Sequence, residues 1–281
     1  MRKETLRATA KSLFNVGLCA ADPTLAVREE LTADPLPKLG EGTLFFISVG
    51  KAACAMMEEA LHHAPTGCKI NALAITNYEN FRKIDGCQVF ASGHPVPDEN
   101  GAKAAQLLTD RLQRAEAIDH VVALISGGGS ALIPAPVEGV SLDDKVMTSQ
   151  ILLNNGYNIK EMNMIRQQLS LLKGGGMVKI AQPASLRGLI ISDVIGDDLR
   201  VIASGPTVAS IGNTATARDL IKYRGHWDLL PNAVQARLSH DAIDDHEATI
   251  PEVRNALICS NRYSLNAIKV AAVDHDPQIV D

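Results

Sequence analysis

What most constrains this chain is an alternation. Six short apolar, β-branched runs, Thr43 to Val49, Ala72 to Thr76, Gln88 to Ala91, Val121 to Ser126, Gly188 to Ser192 and Asn255 to Ser260, are separated by stretches of helical character. Runs that are apolar throughout, rather than at every second position, belong to strands buried on both faces, as in a parallel sheet. The intervening helices are expected over residues 51 to 63, 99 to 115, 142 to 154, 158 to 169, 214 to 223 and 231 to 240. Strand and helix in that succession predict an α/β fold, a doubly wound, mostly parallel, Rossmann-like sheet sandwiched by helices. Leu6, Ala10, Leu13 and Val16 add an amphipathic helix ahead of the first strand.

Prolines in Gly93-His94-Pro95-Val96-Pro97-Asp98 and in Pro134-Ala135-Pro136 disfavour helix, so both segments read as loops. Residues 1–240 are expected to form the Rossmann-like domain. The polar stretch Ser239 to Glu252 reads as a linker. One strand and one helix follow it, and a lone βα unit cannot bury its own apolar face. Either it joins the main sheet or it begins a second α/β domain; residues 241–281 are assigned to linker and the start of such a domain, most of which the chain would lack.

Composition narrows function. A net charge of −5 with 4% aromatic residues argues against a nucleic-acid partner, because such binding needs clustered Lys and Arg. Cys19, Cys54, Cys68, Cys87 and Cys259 are odd in number, scattered and without a C-x-x-C pair, which favours reduced thiols in the cytoplasm over disulfides or a zinc site. No apolar run approaches the roughly 20 residues that span a bilayer, and no signal-peptide core follows Arg2 and Lys3, so no membrane partner is expected.

Open α/β sheets bind ligands at the carboxyl ends of their strands, and four such junctions are unusual here. In Val49-Gly50-Lys51-Ala52-Ala53, an ammonium at a helix opening can hold a transferring phosphoryl group; the alternative is a solvated surface Lys. Ser126-Gly127-Gly128-Gly129-Ser130 after a buried strand lets backbone N–H groups approach an anion, helped by the helix start that follows; a tight packing turn is the alternative. This loop lacks the third glycine of G-x-G-x-x-G, since Leu132 occupies its place.

Asn163 and Arg166 lie three apart and share a helix face, and Lys173 precedes a glycine run that ends the helix. Guanidinium and ammonium converging on a cleft suit carboxylate or phosphate oxygens, although a charged surface helix fits the same residues. Asp193 at a strand end can bind Mg²⁺ or accept a proton from an attacking hydroxyl, or else cap a following helix. Asp197 and Asp198 suit a turn. His94 can serve as acid, base or hydrogen-bond donor, or fix its own loop.

Together these segments resemble the glycerate 2-kinase family, in its order: V-G-K-A-A at Val49 to Ala53, G-H-P-V-P-D at Gly93 to Asp98, S-G-G-G-S-A-L at Ser126 to Leu132, Lys173-Gly174-Gly175, and S-D-V-I-G-D-D at Ser192 to Asp198 followed by S-G-P-T at Ser204 to Thr207. The resemblance implies Mg-ATP-dependent phosphorylation of D-glycerate to 2-phosphoglycerate, in serine, glyoxylate or tartrate breakdown. It casts Lys51 as stabiliser of the transferred phosphoryl, Gly127 to Ser130 as phosphate contacts, Asp193 as base or metal ligand, and Arg166 and Lys173 as contacts to the substrate anion. Where the family carries a basic residue and His, this chain has Gln167 and Gln168. Family members also continue into a second domain that completes the cleft, so partial activity is expected of this chain. The rival readings are a nicotinamide-dependent hydroxypyruvate reductase and a nucleotide-binding module without turnover. A homo-oligomer is compatible with the sequence.

Overall fold

The computed structural model describes residues 2–240 and 253–273, with side chains from residue 4 onward. In chain order it contains α1 (Arg2–Ala20), α2 (Pro23–Ala33), β1 (Thr43–Val49), α3 (Ala53–His62), β2 (Lys69–Asn77), β3 (Cys87–Ser92), α4 (Glu99–Leu112), β4 (His120–Ile125), α5 (Gly129–Leu132), α6 (Leu142–Asn154), α7 (Ile159–Gln168), α8 (Gly176–Ala181), β5 (Ser185–Ile191), α9 (Thr214–Tyr223), α10 (Asn232–Ser239), β6 (Arg254–Cys259) and α11 (Asn261–Val273). The strands make one sheet of order β3-β2-β1-β4-β5-β6, with every neighbouring pair parallel.

The expected doubly wound sheet is therefore present, and its apolar runs are buried as their composition requires. Phe45, Ile47, Val49, Leu73, Ile75, Val121 and Ile125 pack on one face with Ala104, Leu108 and Leu112 of α4 and Met177 and Val178 of α8. Leu44, Phe46, Val122, Leu124 and Leu189 pack on the other with Val27 and Leu31 of α2 and Met56 and Met57 of α3. Period-two side chains thus fill both layers, and no strand needs a polar face. A third cluster joins α6, α7, α9 and α10 through Leu152, Ile165, Ala217, Ile221, Val234 and Leu238.

The βα unit of residues 254–273 lies against the main sheet, with β6 paired to β5. Residues 241–252, where most of the expected linker falls, lie outside the described residues. α1 packs on α11 at Gly17, where a Cβ would stand 2.7 Å from Ile268 Cδ1, while Leu6 and Ala10 of the expected apolar stripe stay exposed. Arg187 on β5 is buried and reaches Glu30 Oε1 at 2.7 Å, the Asp34 carbonyl at 2.8 Å and Asp34 Oδ2 at 2.9 Å, tying the sheet to α2.

Several boundaries differ from expectation: α4 ends at Leu112 rather than at residue 115, and β2 runs Lys69–Asn77 rather than Ala72 to Thr76. α3 starts at Ala53, because Gly50 at φ 131° and the Lys51 amide, bonded to the Gly127 carbonyl, hold Lys51 in a turn. α7 opens on a capping box of Asn158 and Glu161 and ends at Gln168, so Lys173 lies beyond it. The glycine run does not end that helix. Gly174 and Gly175, both at positive φ, instead lead into α8.

Candidate active site at the strand carboxyl ends

The strand order reverses between β1 and β4, and in such sheets the crevice outside their carboxyl ends takes the ligand. The loop Ser126–Ser130 lies there. The Ser126 amide donates to the Val49 carbonyl at 2.9 Å, the Lys51 amide to the Gly127 carbonyl at 2.9 Å, and the Ala52 amide to Ser126 Oγ at 3.1 Å. The turns after β1 and β4 are thus stitched into one rigid floor.

Side chains from three junctions meet on that floor. A Cβ on Gly128 would lie 3.2 Å from both His94 Cδ2 and Lys51 Cγ. A Cβ on Gly127 would lie 2.1 Å from Asp193 Oδ2, so the carboxylate occupies the space a side chain would take. Lys51, His94 and Asp193, distant in sequence, flank the same two glycines. Burial and the neighbouring Lys51 push the His94 imidazole below its usual range, against the weaker pull of Glu79 and Asp193, which favours the neutral ring near pH 7. Lys51 and Asp193 are solvent-exposed. Asp193 caps no helix: turns follow it up to residue 201, and Asp198 in those turns pairs with Arg200.

The helix after the glycine loop, α5, is a single turn. Its dipole is correspondingly small, which leaves the backbone N–H groups of the loop as its main source of positive potential. An open cleft of about 500 Å³ beside Lys51 is lined by Ala52, Cys54, Glu79, Phe81 and Arg82, the last three of which the sequence did not single out.

A second polar group lies behind the loop. Ser130 Oγ is 2.9 Å from Ser204 Oγ, which donates to Asn163 Oδ1 at 2.7 Å. Ala203 and Ser204, neither a glycine, sit at φ 50° and 62°. Strained backbone of this kind persists where surrounding contacts fix it. Asn163 and Arg166 do share a face of α7, and that face is turned inward: Asn163 is buried and Arg166 half-buried. Lys173 is buried as well, which excludes the surface-helix alternative. Burial lowers the Arg166 guanidinium from its usual range, and burial together with Lys145 and Arg166 pushes the Lys173 ammonium well down.

Lys145 is the cation that sequence reasoning missed. It belongs to the buried face of α6, with Thr148 and Leu152 at i+3 and i+7. Gln167 and Gln168 are buried latches. Gln167 Nε2 donates to the carbonyls of Arg200 and Ser204, its Oε1 accepts from the Ile211 amide, and Gln168 Nε2 donates to the Gly212 carbonyl. Among the described residues no three His, Cys, Asp or Glu side chains form a metal-binding cluster, and no helix is long and apolar enough to cross a membrane.

Residues 9–239 match the family model described as a domain of unknown function, DUF4147. A glycerate 2-kinase of Pyrococcus horikoshii is 35% identical over 277 residues, covering 94% of this chain and 61% of that protein. A protein of Agrobacterium vitis that carries the name hydroxypyruvate reductase is 35% identical over 268 residues, covering 95% of this chain and 59% of its own. The crystal structure of a glycerate kinase from Thermotoga maritima superposes with a TM-score of 0.86 at 29% identity, over 97% of this chain and 63% of that one. This chain thus spans about three fifths of the relatives it matches.

Proposed function

The chain belongs to the DUF4147 family, and from that premise we propose that it carries the phosphoryl-transfer half of a kinase that moves the γ-phosphoryl of ATP to the 2-hydroxyl of D-glycerate. The observation that carries this reading is the convergence of Lys51, His94 and Asp193 on Gly127 and Gly128 at the sheet's switch point. Phosphoryl transfer demands little covalent chemistry from a protein. It needs positioning, charge stabilisation and a group that takes the proton of the attacking hydroxyl.

In this reading the N–H groups of the glycine loop orient the phosphate oxygens, and Lys51 neutralises charge as the phosphoryl moves. Asp193 takes the hydroxyl proton or holds a cation. Neutral His94, above Gly128, donates a hydrogen bond to a phosphate or substrate oxygen. Arg166, Lys173 and Asn163 face the anionic end of the acid.

Mg²⁺ fits this donor set, because the ion is commonly held by one or two carboxylates together with substrate phosphates, and Asp193 supplies one carboxylate next to the phosphate cradle. When bound it would neutralise phosphate charge. Lys51→Ala tests the assignment: the rate of ADP release with D-glycerate and Mg-ATP is expected to fall at least about 100-fold, and an unchanged rate refutes the role of Lys51.

The name of the Agrobacterium relative raises a reductase. In sheets of this order the dinucleotide fingerprint follows the first strand; here that junction reads Gly50-Lys51-Ala52-Ala53, and the glycines follow β4 instead. NADH oxidation with hydroxypyruvate as acceptor would favour the reductase.

A further inference from the structure

Behind the glycine loop, three cations share one buried region without a counter-ion. Lys145 and Lys173 are 6% and 5% exposed, and Arg166 is half-buried. Among the described residues none of the three forms an ion pair. Lys145 Nζ donates to the Pro134 carbonyl, which Ser170 Oγ also reaches, leaving two of its three N–H groups uncommitted. Asn163, 2% exposed, engages its Oδ1 with Ser204 while its buried Nδ2 has no partner. The Asn163 amide and the three basic side chains thus offer donors to this region, while Gln168 Oε1 on the same helix as Asn163 is a buried acceptor without a partner.

Such a cluster is a poor stabilising device. Burying like charges is unfavourable unless an anion compensates them. Donors without acceptors in a site are complementary to an oxyanion that arrives from outside. The region joins the phosphate cradle through Ser130, Ser204 and Asn163, at 2.9 and 2.7 Å.

We infer that Lys145, Arg166, Lys173 and Asn163 form one oxyanion pocket behind the glycine loop, and that Lys145 helps hold the carboxylate of the acceptor acid. A 2-hydroxy acid has its carboxylate one carbon from the reacting hydroxyl, so a cation cluster adjoining the phosphoryl cradle is where that group belongs. The identity of the acid rests on the kinase reading; the pocket does not. Lys145 is held near pKa 7 by burial and by Arg166, and Lys173 is lowered by burial, Lys145 and Arg166, so an anion entering at neutral pH draws protons with it.

The test is calorimetric titration at pH 7.5 with D-glycerate, glycolate, inorganic phosphate and ATP separately, in two buffers of different ionisation enthalpy, on the chain and on Lys145→Met. D-glycerate is expected to bind with proton uptake. The variant should bind it about tenfold more weakly with less uptake, and bind ATP within about twofold of wild type. Its melting temperature should rise, because a buried cation is gone, whereas a cluster serving stability would melt lower. Loss of phosphate or ATP affinity in place of glycerate affinity overturns the carboxylate assignment, and unchanged affinities, or no binding of any anion, overturn the pocket. Binding of glycolate but not D-glycerate, abolished by Lys145→Met, keeps the pocket and removes glycerate as substrate. Should Lys145→Met not fold, Lys173→Met is read against the same outcomes.

Discussion

Gly127 is where the absence of a side chain matters most, since Asp193 Oδ2 lies 2.1 Å from the position its Cβ would take. Gly127 has no positive φ, so alanine strains no backbone there; the substitution acts by displacing the carboxylate. Gly127→Ala is expected to lower turnover at least about tenfold while moving the melting temperature little, because Asp193 is exposed. An unchanged rate would remove Asp193 from the chemistry. Lys145 makes a second prediction at this scale. A base whose folded pKa of about 7 lies below its unfolded value near 10.5 destabilises the fold fully at low pH, and that penalty is relieved as pH rises through the interval. Between pH 7 and 8.5 the urea midpoint should therefore climb more steeply for wild type than for Lys145→Met; parallel slopes would contradict the buried ammonium. Lys51, Asp193 and the glycines were legible in the sequence because strand ends are exceptional positions. Lys145 was not, because nothing local distinguishes a buried lysine from a solvated one in the first turns of a helix.

Among the elements, β5 is anchored from outside the sheet. Arg187 is buried against Glu30 and Asp34, and removing one member of such a group leaves uncompensated charge. Arg187→Met should destabilise the chain by about 3 kcal/mol in urea unfolding, and a loss below about 0.5 kcal/mol would show that the bridge contributes nothing. Strand and helix cores were readable from periodicity, several to within a residue or two. Where expectation failed, tertiary contacts decided. The turn at Lys51 is set by a hydrogen bond to Gly127, some 75 residues away in the sequence, and the glycine run after Lys173 by positive-φ geometry that opens α8 rather than closing α7. Gln167 and Gln168, the departure from the family pattern, hold the 200–212 segment through its backbone. No pattern of spacing announces that use.

For the molecule as a whole, the strand order is what turns scattered motifs into one site. Parallel β1, β4 and β5 deliver Lys51, Ser126–Ser130 and Asp193 to the same edge, and the helices of the third cluster bring the cations of α6 and α7 behind them. The sequence forecast the parallel sheet, but not which strands would be neighbours. That order is what places Asp193 over Gly127. The chain spans about three fifths of its relatives' length. The most direct measurement is transfer of labelled γ-phosphoryl from Mg-ATP to D-glycerate by this chain, with the position of the phosphate in the product determined. The account predicts labelled 2-phosphoglycerate that disappears in Lys51→Ala. Label on the 3-position, or NADH oxidation by hydroxypyruvate with no phosphorylated product, would contradict it.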